Sequence, residues 1–149
     1  MFDILDKYKN NGHFFFRPTD SLEEVCNAPD NKNGVYIVYQ LKDGHVDMVY
    51  IGASGIREIL IVKDSLFGLK HCIINGIGQQ SEPRTQAWPL KMLAEGIEAL
   101  DIYWYVTYSG SLKHHPGGVQ SMLLFQYSQI YDEFPRWNDK IKHRRKRDW

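Results

Sequence analysis

The chain is short of the features that assign a protein quickly. Its two cysteines, Cys26 and Cys72, stand far apart among 149 residues, with the spacing of neither a zinc site nor a disulfide framework. A disulfide-stapled secreted fold is thereby excluded, and a reducing cytoplasm is the expected setting. No apolar run approaches the ~20 residues that a membrane span requires, so no membrane partner is expected. The first residues, Met1-Phe2-Asp3-Ile4-Leu5-Asp6, carry acids and no hydrophobic signal core, which predicts no secretion. There is no glycine-rich phosphate loop and no internal repeat. Net charge is also lacking, because 18 Lys and Arg offset 18 Asp and Glu.

That zero conceals an asymmetry. Lys140, Lys142, Arg144, Arg145, Lys146 and Arg147 put a third of the basic residues into the last ten positions. A basic tail of this kind, with Lys142, Arg144, Arg145, Lys146 and Arg147 as its centre, binds nucleic-acid phosphates by counterion release. A solvated, frayed terminus has the same composition.

What the chain does have is aromatic and β-branched residues in ordered runs. Val35-Tyr36-Ile37-Val38-Tyr39 and Val49-Tyr50-Ile51 are both β-prone. Asp43-Gly44 between them is a strong two-residue hairpin signal. The hairpin places Tyr36 and Tyr50 on neighbouring strands, each near a glycine that keeps the backbone thin. Leu100 to Tyr108 is the clearest strand. Helices are predicted for residues 1–11, from Ser21 to about Asn27, for 66–76, from Pro89 onward with Leu90, Leu93, Ala94 and Ile97 on its apolar face, and for 119–131. In the last of these, Val119, Met122, Leu123, Tyr127 and Ile130 are expected to face inward. Ser21 and Glu24 have capping-box spacing. His13 to Pro18 reads as an aromatic segment packed on the core. The order strand, strand, helix, helix, strand, helix from residue 34 predicts an α+β fold, a three-stranded antiparallel sheet flanked by helices. The organisation is a helical extension over 1–33, a domain over 34–138 and the basic tail over 139–149.

Gly34-Val35-Tyr36 and Tyr50-Ile51-Gly52-Ala53-Ser54 resemble the two signature strands of the GIY-YIG nuclease superfamily, with Val35 in place of the usual isoleucine. Leu100-Asp101-Ile102-Tyr103-Trp104-Tyr105-Val106-Thr107 is similar to the third strand of its compact bacterial branch. Trp88-Pro89-Leu90-Lys91-Met92 and Pro135-Arg136-Trp137-Asn138 resemble that branch too, so the likeness covers roughly residues 34–138. It implies a GIY-YIG-type domain, DNA as partner, and phosphodiester cleavage with one divalent ion, magnesium or manganese. It further implies that Tyr36 lies close to an attacking water, that Tyr50 orients the phosphate, and that Asn138 supports the site.

Two positions depart from the family pattern, and both departures remove charge. Where the family has a helical arginine, Gly68-Leu69-Lys70-His71-Cys72-Ile73 has Cys72. Where it has a metal-binding glutamate, Gln120-Ser121-Met122-Leu123-Leu124 has Gln120; phasing from the chain's end gives Gln126 instead. An uncharged amide competes poorly with water for a hard cation, and a thiol cannot replace a bidentate guanidinium. Each loss costs several kcal/mol of transition-state stabilisation. Arg57, Lys63, Lys70 and His71 are candidate substitutes for the phosphate-binding cation; none supplies a carboxylate. The expectation is a degenerate site, weak or inactive, on a domain that binds DNA. The alternative is a protein-interaction domain on the same fold. A thiol nucleophile at His71-Cys72 is disfavoured, since adjacent helical residues point about 100° apart. His114-His115-Pro116 fits a loop before a helix better than a metal site.

Overall fold

The computed structural model describes residues 2–54, 68–76 and 82–138. A 3-10 turn at Asp3–Lys7 leads into strand β1 (Asn11–Phe16) and a one-turn helix α1 (Leu22–Val25). Strands β2 (Asn33–Lys42) and β3 (His45–Ala53) follow, then helices α2 (Leu69–Asn75) and α3 (Arg84–Glu95). Strand β4 (Ala99–Ser109), the short β5 (Leu112–Lys113), helix α4 (Pro116–Tyr131) and a 3-10 turn at Arg136–Asn138 complete the order. The protein is α+β, with an antiparallel sheet flanked by helices on both faces.

The sheet has five strands rather than the expected three, in the order β1-β4-β2-β3 with β5 paired to β4. The additional long strand is β1. Its residues alternate, His13 exposed, Phe14 buried, Phe15 exposed and Phe16 buried, the period of a half-buried strand. The segment 1–33 therefore adds a strand to the sheet, and among its described residues the helical parts are the turn at Asp3–Lys7 and α1. Ser21 occupies the N-cap of α1 without a side-chain cap bond.

The β2–β3 hairpin turns at Asp43 (φ 51°) and Gly44 (φ 76°). Two successive positive φ values make the tight turn that Asp-Gly favours, and its twist suits the flanking strands. Tyr36 pairs with Gly52 and Val38 with Tyr50, and the register shifts at Val38/Tyr39. The extra residue at this bulge is Val49, which resets the alternation. Val49 and Tyr50 consequently both join the face that carries Tyr36 and Val38.

Strict alternation along β2 divides two cores. Tyr36 and Val38 pack with Phe14, Phe16, Ile102 and Trp104 beneath α1, α2 and α3. Val35 and Ile37 pack with Ile51, Leu5, Tyr8 and Leu123 beneath the N-terminal turn and α4. Helix α4 turns Val119, Leu123 and Leu124 inward, with Tyr127 partly buried against the same core, whereas Met122 and Ile130 are exposed. Helix α3 opens at Pro83, whose carbonyl accepts the first helical bonds from Gln86 and Ala87. Pro89 is therefore interior rather than first, and the helix is rotated relative to expectation: Trp88 and Met92 are buried, and Leu90 and Leu93 face out. No helix among the described residues is long and apolar enough to cross a membrane.

Candidate functional site

The site is set by how closely Tyr36 crosses Gly52. A Cβ on Gly52 would lie 2.2 Å from Tyr36 Cζ and 2.6 Å from its Oη. Only glycine lets the phenol cross its paired strand there. The partner motif is held as tightly. A Cβ on Gly34 would lie 1.8 Å from the Tyr105 carbonyl oxygen. The Gly34 amide donates to Ser54 Oγ at 2.9 Å, and the Ser54 amide donates to the Gly34 carbonyl at 2.9 Å. Gly34 and Gly52 thus serve close packing, and the rings of Tyr36 and Tyr50 lie with centroids 5.9 Å apart.

Between the two hydroxyls lies Arg84, from the first turn of α3. Its Nη1 donates to Tyr36 Oη at 2.9 Å and to the carbonyls of Cys72 (2.9 Å) and Ile73 (3.3 Å). Its Nη2 reaches Tyr50 Oη at 3.5 Å. The guanidinium lies 5.5 Å from the centroid of Tyr50 and 5.2 Å from that of Trp88, within cation–π range of both. The Cys72 carbonyl also accepts the Gly76 amide that closes α2, and the Ile73 carbonyl is among the last four of that helix, which no intrahelical donor satisfies. A cation there meets the negative end of the helix dipole.

Arg84 was missing from the residues expected from sequence. Its string, Pro83-Arg84-Thr85-Gln86, looks like loop. The available signal was a cation in the first turn of a helix, where the dipole disfavours positive charge. Such a residue is usually placed by tertiary contacts.

Cys72, at the position where the resemblance expects an arginine, lies on α2. Its residue is buried, and it is its backbone carbonyl that touches the guanidinium. Lys70 lies near the buried Cys26 thiol, which burial pushes up and the lysine partly offsets. His71 is exposed on α2, with Nδ1 3.4 Å from Asn75 Nδ2. Arg57, Lys63 and the tail residues Lys142, Arg144, Arg145, Lys146 and Arg147 lie outside the described residues.

Gln120 and Asn138 meet at the outer edge of β3. Asn138 Oδ1 accepts from the Ile51 amide at 3.0 Å, and its Nδ2 donates to the Ile51 carbonyl at 3.0 Å. Gln120 Nε2 donates to the same carbonyl at 2.9 Å. The two amides take the place of a neighbouring strand and lock the backbone between Tyr50 and Gly52. His114, by contrast, is tied to Tyr8 Oη at 2.8 Å, and His115 lies against the ring of Tyr108, so the pair has structural company.

Protonation follows from burial. Desolvation pushes the Tyr36 hydroxyl well above the usual phenol range, against the opposing pull of Arg84. Burial alone would lower the Arg84 guanidinium, but the adjacent phenols hold it above its ordinary value. At neutral pH the site is therefore a neutral phenol beside a permanent cation. Because Tyr36 Oη accepts from Arg84, its own hydrogen is free to point elsewhere. Tyr36 is fully buried, so the accessible donors are the half-buried Tyr50 and Arg84. The described donors comprise phenols, a guanidinium and two amides already bound to Ile51. Among the described residues, no three His, Cys, Asp or Glu side chains cluster, and this set does not fit a hard divalent cation, which takes carboxylate and carbonyl oxygens.

No family model, no curated protein and no solved structure matches the chain.

Proposed function

We propose that the chain is a GIY-YIG-type domain that binds the phosphodiester backbone of DNA at Tyr50 and Arg84, with Tyr36 as the buried brace of that arginine. The observation that carries the reading is the Arg84 fork shared between the two signature tyrosines. A planar guanidinium beside hydroxyl donors is complementary to a phosphate oxygen pair. The cation that the resemblance assigns to α2 is supplied on this reading from α3, and no carboxylate among the described residues joins it. Without one the site binds phosphate and lacks the means to hold a metal against the leaving oxygen. The domain is thus a DNA-binding member with a degenerate cleavage site.

The test uses supercoiled plasmid with magnesium or manganese, beside a filter-binding assay on the same DNA. The expected result is retention on the filter with no relaxation or linearisation. Cleavage by the unmodified protein that disappears in Tyr36→Phe overturns the degenerate-site reading. The protein-interaction alternative has one observation in its favour: Leu90 and Leu93 are 66% and 69% exposed, side by side on α3. It would be preferred if the protein failed to bind DNA even at low salt.

A further inference from the structure

Arg84 is the first residue of a row. Arg84, Trp88, Lys91 and Glu95 recur at i, i+4, i+7 and i+11 on one side of α3. The Arg84 guanidinium lies over Trp88, the Trp88 and Trp137 centroids are 6.3 Å apart, and Lys91 Nζ lies 4.8 Å from the Trp137 centroid. Cation and aromatic alternate from the tyrosine site outward. The row ends in a cleft of about 630 Å³ lined by Gln40, Lys42, Lys91, Glu95, Arg136 and Trp137. Three cations face one carboxylate there. That carboxylate is engaged: Arg136 Nη2 donates to Glu95 Oε1, and to Gln40 Oε1 at 2.9 Å. Lys42 Nζ donates to the Glu95 backbone carbonyl at 2.7 Å, fixing the lysine at the end of α3. The Trp137 indole nitrogen is buried beside the cleft without a hydrogen-bond acceptor.

We infer that this cleft is a second phosphate subsite for the strand held at Arg84, with Lys42 and Lys91 as its contacts. The inference rests on the phosphodiester-binding reading of the tyrosine site and extends it along α3. Lys91 is seven residues beyond Arg84, about 10 Å along the helix axis, so the two cations contact separate phosphates of one strand. Lys91 lies over the Trp137 ring and closes that face to a base. The contacts of the subsite are two lysines, point charges that read backbone charge and not sequence.

The experiment measures binding of short fluorescein-labelled oligonucleotides of two unrelated sequences across a salt series. The proteins are the full chain, Lys42→Ala, Lys91→Ala, Glu95→Gln and Arg84→Met, each checked by thermal melting. Each lysine variant should lower the slope of log K against log salt by about one and weaken both sequences equally. Glu95→Gln should tighten binding, a gain that a merely structural role would not produce. If Arg84→Met weakens binding while both lysine variants keep the parent slope, the cleft is not a subsite and the tyrosine site stands. If the full chain binds neither oligonucleotide at low salt, both readings fall. Inorganic phosphate serves as competitor. Lysine variants that alter only phosphate competition, and leave oligonucleotide binding intact, would reduce the cleft to a simple anion site and overturn the strand proposal.

Discussion

Replacing Gly52 by alanine probes the closest contact in the candidate site. The new methyl would sit 2.2 Å from Tyr36 Cζ and 2.6 Å from Tyr36 Oη, far inside van der Waals contact. Tyr36 is fully buried and its hydroxyl is held by Arg84, so the ring cannot yield cheaply. Over-packing of this kind costs about 1–3 kcal/mol. If the phenol shifts, it also loses a hydrogen bond to a charged group, worth about 1.5–3 kcal/mol. Together these lower the melting temperature by roughly 10 °C for a chain of this size. The assay is a thermal melt by circular dichroism, with urea unfolding as a check that the m-value is unchanged. Tyr36→Leu in the same chain should recover part of the loss by removing the ring. Tyr36→Phe should not, because the nearest atom is Cζ and not the hydroxyl. A Gly52→Ala protein that melts with the parent would refute the crossing of Tyr36 over Gly52, and with it the close packing at Gly34 and Gly52.

Two further outcomes are expected. Cys72→Arg, which places an arginine where the resemblance expects one, should destabilise the fold by several kcal/mol, because it buries a second cation beside Arg84 without a counter-charge; denaturant titration measures this, and a variant as stable as the parent would show that the pocket accommodates two cations. Alkaline pH should unfold the protein. Burial pushes Tyr39 up to about 12 from an unfolded value of 10.0, and raises Tyr36 as well. The folded protein then holds protons that the unfolded chain releases, so the stabilisation is complete below about pH 10 and is lost as pH rises toward 12. Melting temperatures across that range should fall, less steeply in Tyr39→Phe; a flat profile would contradict the burial of these hydroxyls.

Much of the fold was legible where local chemistry and tertiary demand agree. Asp43-Gly44 sets the hairpin because its two positive φ values are needed nowhere else in β2 and β3. β4 reads as a strand because it is a central strand, buried on both faces. β1 escaped notice because Phe14-Phe15-Phe16 are all aromatic, so that composition conceals an alternation that only burial reveals. The rotation of α3 was hidden by its two prolines: Pro89 has the look of a first helical residue, and the true start lies at Pro83. Tyr36, Tyr50 and Asn138 could be picked out from the sequence only through the resemblance; in the fold Asn138 binds the backbone of Ile51, next to Tyr50 on β3. Arg84 could not be picked out, because its partners lie 34 and 48 residues away on β3 and β2 and no local pattern records such a contact.

Arg84 is also where the account is most exposed to test. The decisive measurement is the equilibrium affinity of Arg84→Met and Arg84→Lys for duplex DNA at fixed low salt, alongside melts to confirm folding. Methionine should abolish most of the binding. Lysine, which keeps the charge but loses the fork, should retain an intermediate affinity. Folded variants that bind DNA as tightly as the parent would contradict the central claim that Arg84 is the phosphate-binding cation of the tyrosine site.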